Sequence, residues 1–216
     1  KGLMRIGNID FSPIISIGVE LPLENCYSTK CNTTEIYKEI VGHLIEKHNC
    51  KKIGFFSANE SQSQEAQERF ESYKGALNFY NIEYNPDYVL HGNFTRYRAK
   101  QIIAEKFKTK EELPFDSIIC ANDLTASGCV ESFSNLGVSI PDELKIIGFD
   151  DSFQTAFYEP SISSVNQQIE QQGYKASKLV YEKLQGKEIE KLNEVYLEPV
   201  YRQSCGCIKL SSTVGV

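Results

Sequence analysis

The chain alternates short, nearly continuous apolar runs with longer stretches in which apolar residues return every three or four positions. Ile14-Ile15-Ser16-Ile17-Gly18-Val19, Ile53-Gly54-Phe55-Phe56, Tyr88-Val89-Leu90, Ser117-Ile118-Ile119-Cys120, Lys145-Ile146-Ile147-Gly148-Phe149 and Val195-Tyr196-Leu197 read as strands. Between them, Ile36, Tyr37, Ile40, Val41, Leu44 and Ile45 share one face of a helix, which opens on Asn32-Thr33-Thr34-Glu35 in the form of a capping box. Phe70, Tyr73, Leu77 and Tyr80 predict a second helix, and Ile102, Ile103 and Phe107 a third that ends before Pro114. A fourth runs from Leu124 to Leu136 with Gly137 closing it, and a fifth carries Ile169, Ala176, Leu179, Val180 and Leu184 up to Gly186. Strands apolar on both faces, each followed by a helix, predict an α/β fold of parallel sheets flanked by helices.

Composition narrows the function classes. The 216 residues, 41% hydrophobic and 24% charged, are enough to bury a large core. A net charge of -6 repels phosphate backbones, so any contact with DNA would come from a domain absent here. No apolar run nears the ~20 residues of a membrane helix, and no membrane partner is expected. Lys1-Gly2-Leu3-Met4 lacks a secretory pattern, and lysine at position 1 suggests a fragment or a processed chain. The seven cysteines are an odd number without a disulfide framework, and reduced thiols fit a cytoplasmic chain. Cys26 with Cys31, and Cys205-Gly206-Cys207, are the close pairs. Neither has a second pair at zinc-finger spacing and there are three histidines, so no metal site and no cofactor is expected. His43 and His48, around a helix end, read as structural.

In open α/β sheets, ligands bind beyond the carboxyl ends of the strands. The residues that follow the apolar runs are Asn122 and Asp123, Asp150 and Asp151, His91-Gly92-Asn93-Phe94, and a polar loop from Ser57 to Gln64 leading to Arg69. Carboxylates and a guanidinium grip hydroxyl groups, and a flat ring covers an apolar sugar face. Each residue also has a structural reading: Asp123 as a helix cap, Asp151 as a turn residue, Arg69 on a helix surface, Phe94 in the core. Asp150 is the strongest candidate, since a carboxylate ending a buried strand needs a partner. The nucleophile elbow and both glycine-rich phosphate motifs are missing. A magnesium site built from Asp123, Asp150 and Asp151 would lack a nucleophile motif and a matching lysine, so no enzyme activity is expected.

With these residues in view, the segment from Ile14 to Cys207 resembles the effector-binding domain of LacI/GalR transcriptional regulators. The match is carried by Val41-Gly42-His43-Leu44-Ile45-Glu46-Lys47-His48 with Lys51-Lys52-Ile53-Gly54-Phe55-Phe56, by Arg69 to Leu77, by Gly92-Asn93-Phe94-Thr95, and by Ala121-Asn122-Asp123 through Gly137. Ile140-Pro141-Asp142-Glu143-Leu144-Lys145-Ile146-Ile147-Gly148-Phe149-Asp150-Asp151 is its most specific stretch, and Ser163-Ser164-Val165-Asn166-Gln167 resembles a hinge crossing. The resemblance implies a two-lobed, periplasmic-binding-protein-like (type I) fold whose first lobe lacks its N-terminal units. It implies a partial N-terminal lobe at 1–50 plus 165–191, a C-terminal lobe at 51–164 plus 192–207, and a flexible tail at 208–216. It also implies a homodimer that binds a small-molecule effector, a sugar, in the cleft between lobes. Arg69, Phe94, Asn122, Asp123, Asp150 and Gln167 carry over as ligand contacts. Asn93 replaces the family's usual aspartate in its turn. The ending Arg202-Gln203-Ser204-Cys205-Gly206-Cys207 resembles sensor domains fused to diguanylate cyclase, kinase or AraC-type output modules, which leaves a multidomain signalling protein as the first alternative to a transcription regulator; a solute-binding protein for transport is disfavoured by the missing secretory pattern and the free thiols.

Overall fold

The computed structural model describes residues 13–58 and 63–207. The expectations placed on the N-terminal residues, the middle of the 57–64 loop and the 208–216 tail lie outside the described residues. In chain order the elements are β1 (Ile14–Ile17), β2 (Cys26–Cys31), α1 (Thr33–His48), β3 (Ile53–Ser57), α2 (Gln64–Phe79), β4 (Val89–His91), α3 (Arg96–Lys106) and β5 (Ser117–Cys120). They continue with α4 (Asp123–Asn135), β6 (Lys145–Ile147), β7 (Ser164–Asn166), α5 (Ile169–Leu184), β8 (Leu192–Val195) and β9 (Glu198–Val200). The described residues divide into two compact units, one up to residue 32 together with 167–197 and the other from residue 33 to 166 together with 198–207.

In the first unit, β1, β2 and β8 form a parallel sheet in that order, with α5 packed on β1 and β2. β2 is a strand that hydropathy does not announce. Its sequence is CYSTKC, yet Ser28 and Thr29 are buried, and the Ser16 and Ser28 hydroxyls hydrogen-bond across the strands at 2.7 Å. Cys26 and Cys31 thus begin and end a strand. The last strand predicted at 195–197 lies earlier, as β8, and Tyr196 is exposed.

In the second unit the strands run parallel in the order β4-β3-β5-β6. The pleat sorts their side chains. Leu90, Phe56 and Cys120 stand side by side, and with Ile118 and Ile146 they face α3 and α4 through Ala99, Ile102, Ile103, Ala126, Cys129 and Phe133. Phe55, one position earlier, turns the other way and meets Tyr37 of α1 and Tyr73 of α2, with ring centroids 6.1 and 4.8 Å away. Both faces of the sheet are therefore covered, which is why the strands read as unbroken apolar runs. β7 and β9 pair antiparallel at the side of β6, joined to it by the bridge between Ile147 and Ser163.

The division between units falls at residue 32 rather than the expected 50, because α1 packs against α2 and belongs with the second unit. For the same reason residues 192–197 go with the first unit, where β8 completes the sheet. Among the described residues, no helix is long and apolar enough to cross a membrane.

Candidate functional site

The carboxyl ends of β3, β5 and β6 place Arg69, Asn122, Asp123 and Asp150 in one region of the second unit. Arg69 comes from α2 and is 2% exposed. Its guanidinium lies over the Phe149 ring at 3.9 Å and within 6.0 Å of the Phe94 ring centre. One terminal nitrogen donates to the Ala121 carbonyl; the other bonds Glu65 one turn back on α2 and pairs with Asp150 Oδ1 at 3.4 Å. The reading of Arg69 as a surface helix residue is therefore overturned: α2 turns it into the sheet edge. Its Nε is buried without a hydrogen-bond partner. So is the hydroxyl of Tyr37, which the sequence reading put on the apolar face of the first helix and not at the site. Burial pushes that hydroxyl's pKa up, and the charges of Arg69 and Asp150 both reach it.

Asp150 sits where β6 has ended and the chain turns. Its amide donates to the Val165 carbonyl at 2.9 Å, and its side chain is one-third exposed. Its backbone φ is 113° and that of Asp151 is 52°, both in the left-handed half of the map. Aspartate in such conformations costs about 1–3 kcal/mol and is retained where the surroundings fix it. Phe94, at φ 63°, is a third non-glycine residue of this kind on the same edge, and it is partly buried.

Asn122 and Asp123 have structural work to do. Asn122, rather than Asp123, is the cap of α4: its Oδ1 accepts from the Thr125 amide at 2.9 Å, and its Nδ2 donates to the Phe94 carbonyl at 2.9 Å. The side chain thereby holds the turn of Phe94 against α4. Asp123 is the first residue of the helix. Its Oδ2 accepts from the Ser152 amide at 2.7 Å and hydroxyl at 3.0 Å, and its Oδ1 from the Ser164 hydroxyl at 2.5 Å. Burial raises its pKa from 3.8 to about 6 against the lowering effect of these bonds. Gly148 makes room for this carboxylate; a Cβ there would lie 2.3 Å from Oδ1.

Asp151 is turned away from ligand chemistry. It pairs with Arg202 at 2.7 Å and accepts from Asn166 Nδ2 at 3.0 Å. The three aspartates thus serve separate partners, and among the described residues they form no grouping that could hold a metal ion. Gln167 belongs to the first unit, where its carbonyl accepts from Gln172 Nε2 at 2.7 Å and from the Cys31 thiol. A surface groove of about 440 Å³ opens between Lys51, Lys52, Tyr84 and Tyr88. It lies at the amino end of β3, the opposite end from these residues, and takes no part in the site.

Comparison with known proteins bears on the family and the fold. Residues 41–205 match the family described as a periplasmic binding protein-like domain. The chain is 29% identical over 163 residues to the HTH-type transcriptional repressor PurR of Pasteurella multocida, covering 75% of this chain and 48% of that protein. It is 30% identical over 151 residues to PurR of Haemophilus influenzae, covering 68% of this chain and 44% of the relative. The chain thus spans about half the length of the curated relatives it matches. Among solved structures, a regulatory protein of the LacI family from Chloroflexus aggregans has TM-score 0.79 at 22% identity, over 95% of this chain and 80% of that one. A CelR–cellobiose complex has TM-score 0.75 at 22% identity, over 88% and 58%.

Proposed function

The chain belongs to the periplasmic binding protein-like family, as an effector-binding domain of the LacI/GalR type, and from that premise we propose that it senses a small polar metabolite and performs no chemistry. The observation that carries the reading is the arrangement of Arg69 with Asp150. A buried guanidinium is braced by Glu65 and Phe149 beside a carboxylate that is strained and one-third exposed. A charge pair held ready on a sheet edge can exchange part of its mutual bonding for ligand hydroxyls with little reorganisation. Asn122 and Asp123 act behind it, fixing the Phe94 turn and the 148–152 turn, so their contribution to binding is to hold those two turns in place.

A sugar is the ligand class we favour. The set of guanidinium, carboxylate and aromatic ring suits a polyol, and a structural neighbour is described in complex with cellobiose. The whole protein would be a cytoplasmic, homodimeric transcription regulator, meeting DNA through a separate domain. A thermal-shift screen of the chain against sugars, nucleobases, amino acids and Mg²⁺ tests the reading. A ligand at about 100 times its Kd adds about 2.7 kcal/mol, a shift of several degrees. Stabilisation by one sugar class is the expected result. Stabilisation by nucleobases alone would replace the ligand class, and stabilisation by Mg²⁺ alone would overturn the sensor reading.

A further inference from the structure

The sequence offered no metal site because its histidines and paired cysteines lie far apart. The fold brings them together, inside the second unit and away from the effector edge. His43 and His48 come from the carboxyl-terminal part of α1. Cys205 and Cys207 come from the turn that follows β9, with Cys205 162 positions after His43. One ligand atom from each, His43 Nε2, His48 Nε2, Cys205 Sγ and Cys207 Sγ, lies within 4.8 Å of all the others.

The separations have a pattern. The two Nε2 atoms are 3.0 Å apart, Cys207 Sγ is 3.4 Å from His43 Nε2 and 3.6 Å from His48 Nε2, and Cys205 Sγ is 3.8 Å from His43 Nε2. In a tetrahedral zinc centre with bonds of about 2.0–2.1 Å to nitrogen and 2.3 Å to sulfur, the N···N edge is about 3.3 Å and the N···S edge about 3.6 Å. Four of the six edges lie close to those of such a polyhedron, and the remaining two are within 4.8 Å. Hydrogen bonding alone does not account for it: His43 Nε2 faces three neighbours, and a ring nitrogen has one lone pair or one proton to offer. A central ion satisfies all four atoms at once.

The surroundings are shaped to this convergence. The Tyr201 ring stacks on His43 with centroids 3.6 Å apart and planes 11° from parallel, which fixes the imidazole's orientation. Gly206, between the cysteines, has φ 96°, and a Cβ there would lie 3.1–3.2 Å from the His48 ring. Glycine lets the Cys-x-Cys turn close on the histidines. Cys205 is fully buried, and Cys207 and both histidines are partly buried.

We propose that His43, His48, Cys205 and Cys207 form a structural Cys₂His₂ zinc site that staples the end of α1 to the segment after β9. Each thiol releases its proton to solvent on binding, each imidazole keeps its proton on Nδ1, and two thiolates neutralise the dication. No redox change is involved. All four positions are filled by protein, so the centre is closed and supports the fold rather than a reaction.

The test is metal analysis of the purified chain after exposure to zinc and gel filtration, with cobalt substitution as the spectroscopic probe. One zinc per chain is expected, together with thiolate-to-cobalt charge-transfer absorption and intense tetrahedral ligand-field bands for the cobalt form. Cys207→Ser should retain no zinc, whereas Cys31→Ser should retain one per chain. Chelation should lower the Tm of the parent by several degrees and leave that of Cys207→Ser unchanged. A variant-free check is alkylation of the parent chain: zinc should protect Cys205 and Cys207 while Cys31 reacts at its usual rate. A chain that retains no zinc, shows no cobalt bands, and alkylates Cys207 equally with and without zinc would overturn the proposal. So would a disulfide between Cys205 and Cys207 found in the purified chain.

Discussion

Asp123 is the place where burial, hydrogen bonding and charge can be weighed against one another. Its carboxylate accepts from Ser152 and Ser164, yet burial still raises its pKa from 3.8 to about 6. Because the folded value lies above the unfolded one, the folded chain holds more protons between pH 3.8 and about 6. Its stability therefore falls as pH rises through that window and levels off above it. A shift of this size corresponds to about 3 kcal/mol. Asp123→Asn keeps the shape of the protonated acid, with the amide oxygen accepting from Ser152 and the amide nitrogen donating to the Ser164 hydroxyl. Urea unfolding of both proteins from pH 4 to pH 8, followed by circular dichroism, isolates this residue in the difference between the two curves. Near pH 4 the two should be within about 1 kcal/mol, as for an isosteric exchange. By pH 8 the variant should have gained about 2–3 kcal/mol relative to the parent. A difference that stays flat across the range, or moves the other way, would show that the serine bonds outweigh burial.

Other residues give independent tests. Asp151→Ala leaves Arg202 buried without its partner, and urea unfolding should show a loss of about 3–5 kcal/mol. Gly148→Ala puts a methyl group 2.3 Å from Asp123 Oδ1 and should cost about 1–3 kcal/mol by the same assay. Asp150→Gly and Asp150→Ala both take one of two carboxylates from the buried Arg69, leaving Glu65, but only glycine relieves the strain of about 1–3 kcal/mol at φ 113°, while loosening the unfolded chain by up to about 1 kcal/mol. Asp150→Gly should therefore unfold at a temperature no lower than Asp150→Ala, and a lower one would mean that this backbone conformation carries no strain.

The central sheet was legible because β3, β5 and β6 are covered on both faces, so Phe55, Phe56, Ile118, Ile119, Ile146 and Ile147 stand out as apolar runs. β2 was not, because its interior is polar: Ser28 and Thr29 are both buried, Ser28 through a hydroxyl pair with Ser16 that no hydropathy pattern records. The same limit applies to the candidate site. Strand ends pointed to Arg69, Asn122, Asp123 and Asp150 without any coordinates, since the carboxyl edge of a parallel sheet is set by topology. The division of labour among them could not be read, because Ser152, Ser164, Glu65 and Phe149 decide it by three-dimensional contact. Asp123 and Asp151 look alike next to their apolar runs; one is bonded to serines, the other to Arg202. The histidine–cysteine cluster was invisible for a related reason. Spacing rules find ligands that are neighbours in sequence, and these come from opposite ends of the chain.

The most direct test of the sensor reading is isothermal titration of a stabilising ligand from the thermal-shift screen into the parent chain and Asp150→Ala. Losing a charged group that contacts the ligand costs about 2–5 kcal/mol, so Kd should weaken at least about 30-fold while the circular dichroism spectrum stays that of the parent. An unchanged Kd in a folded variant would contradict the account, placing the effector away from the Arg69–Asp150 edge.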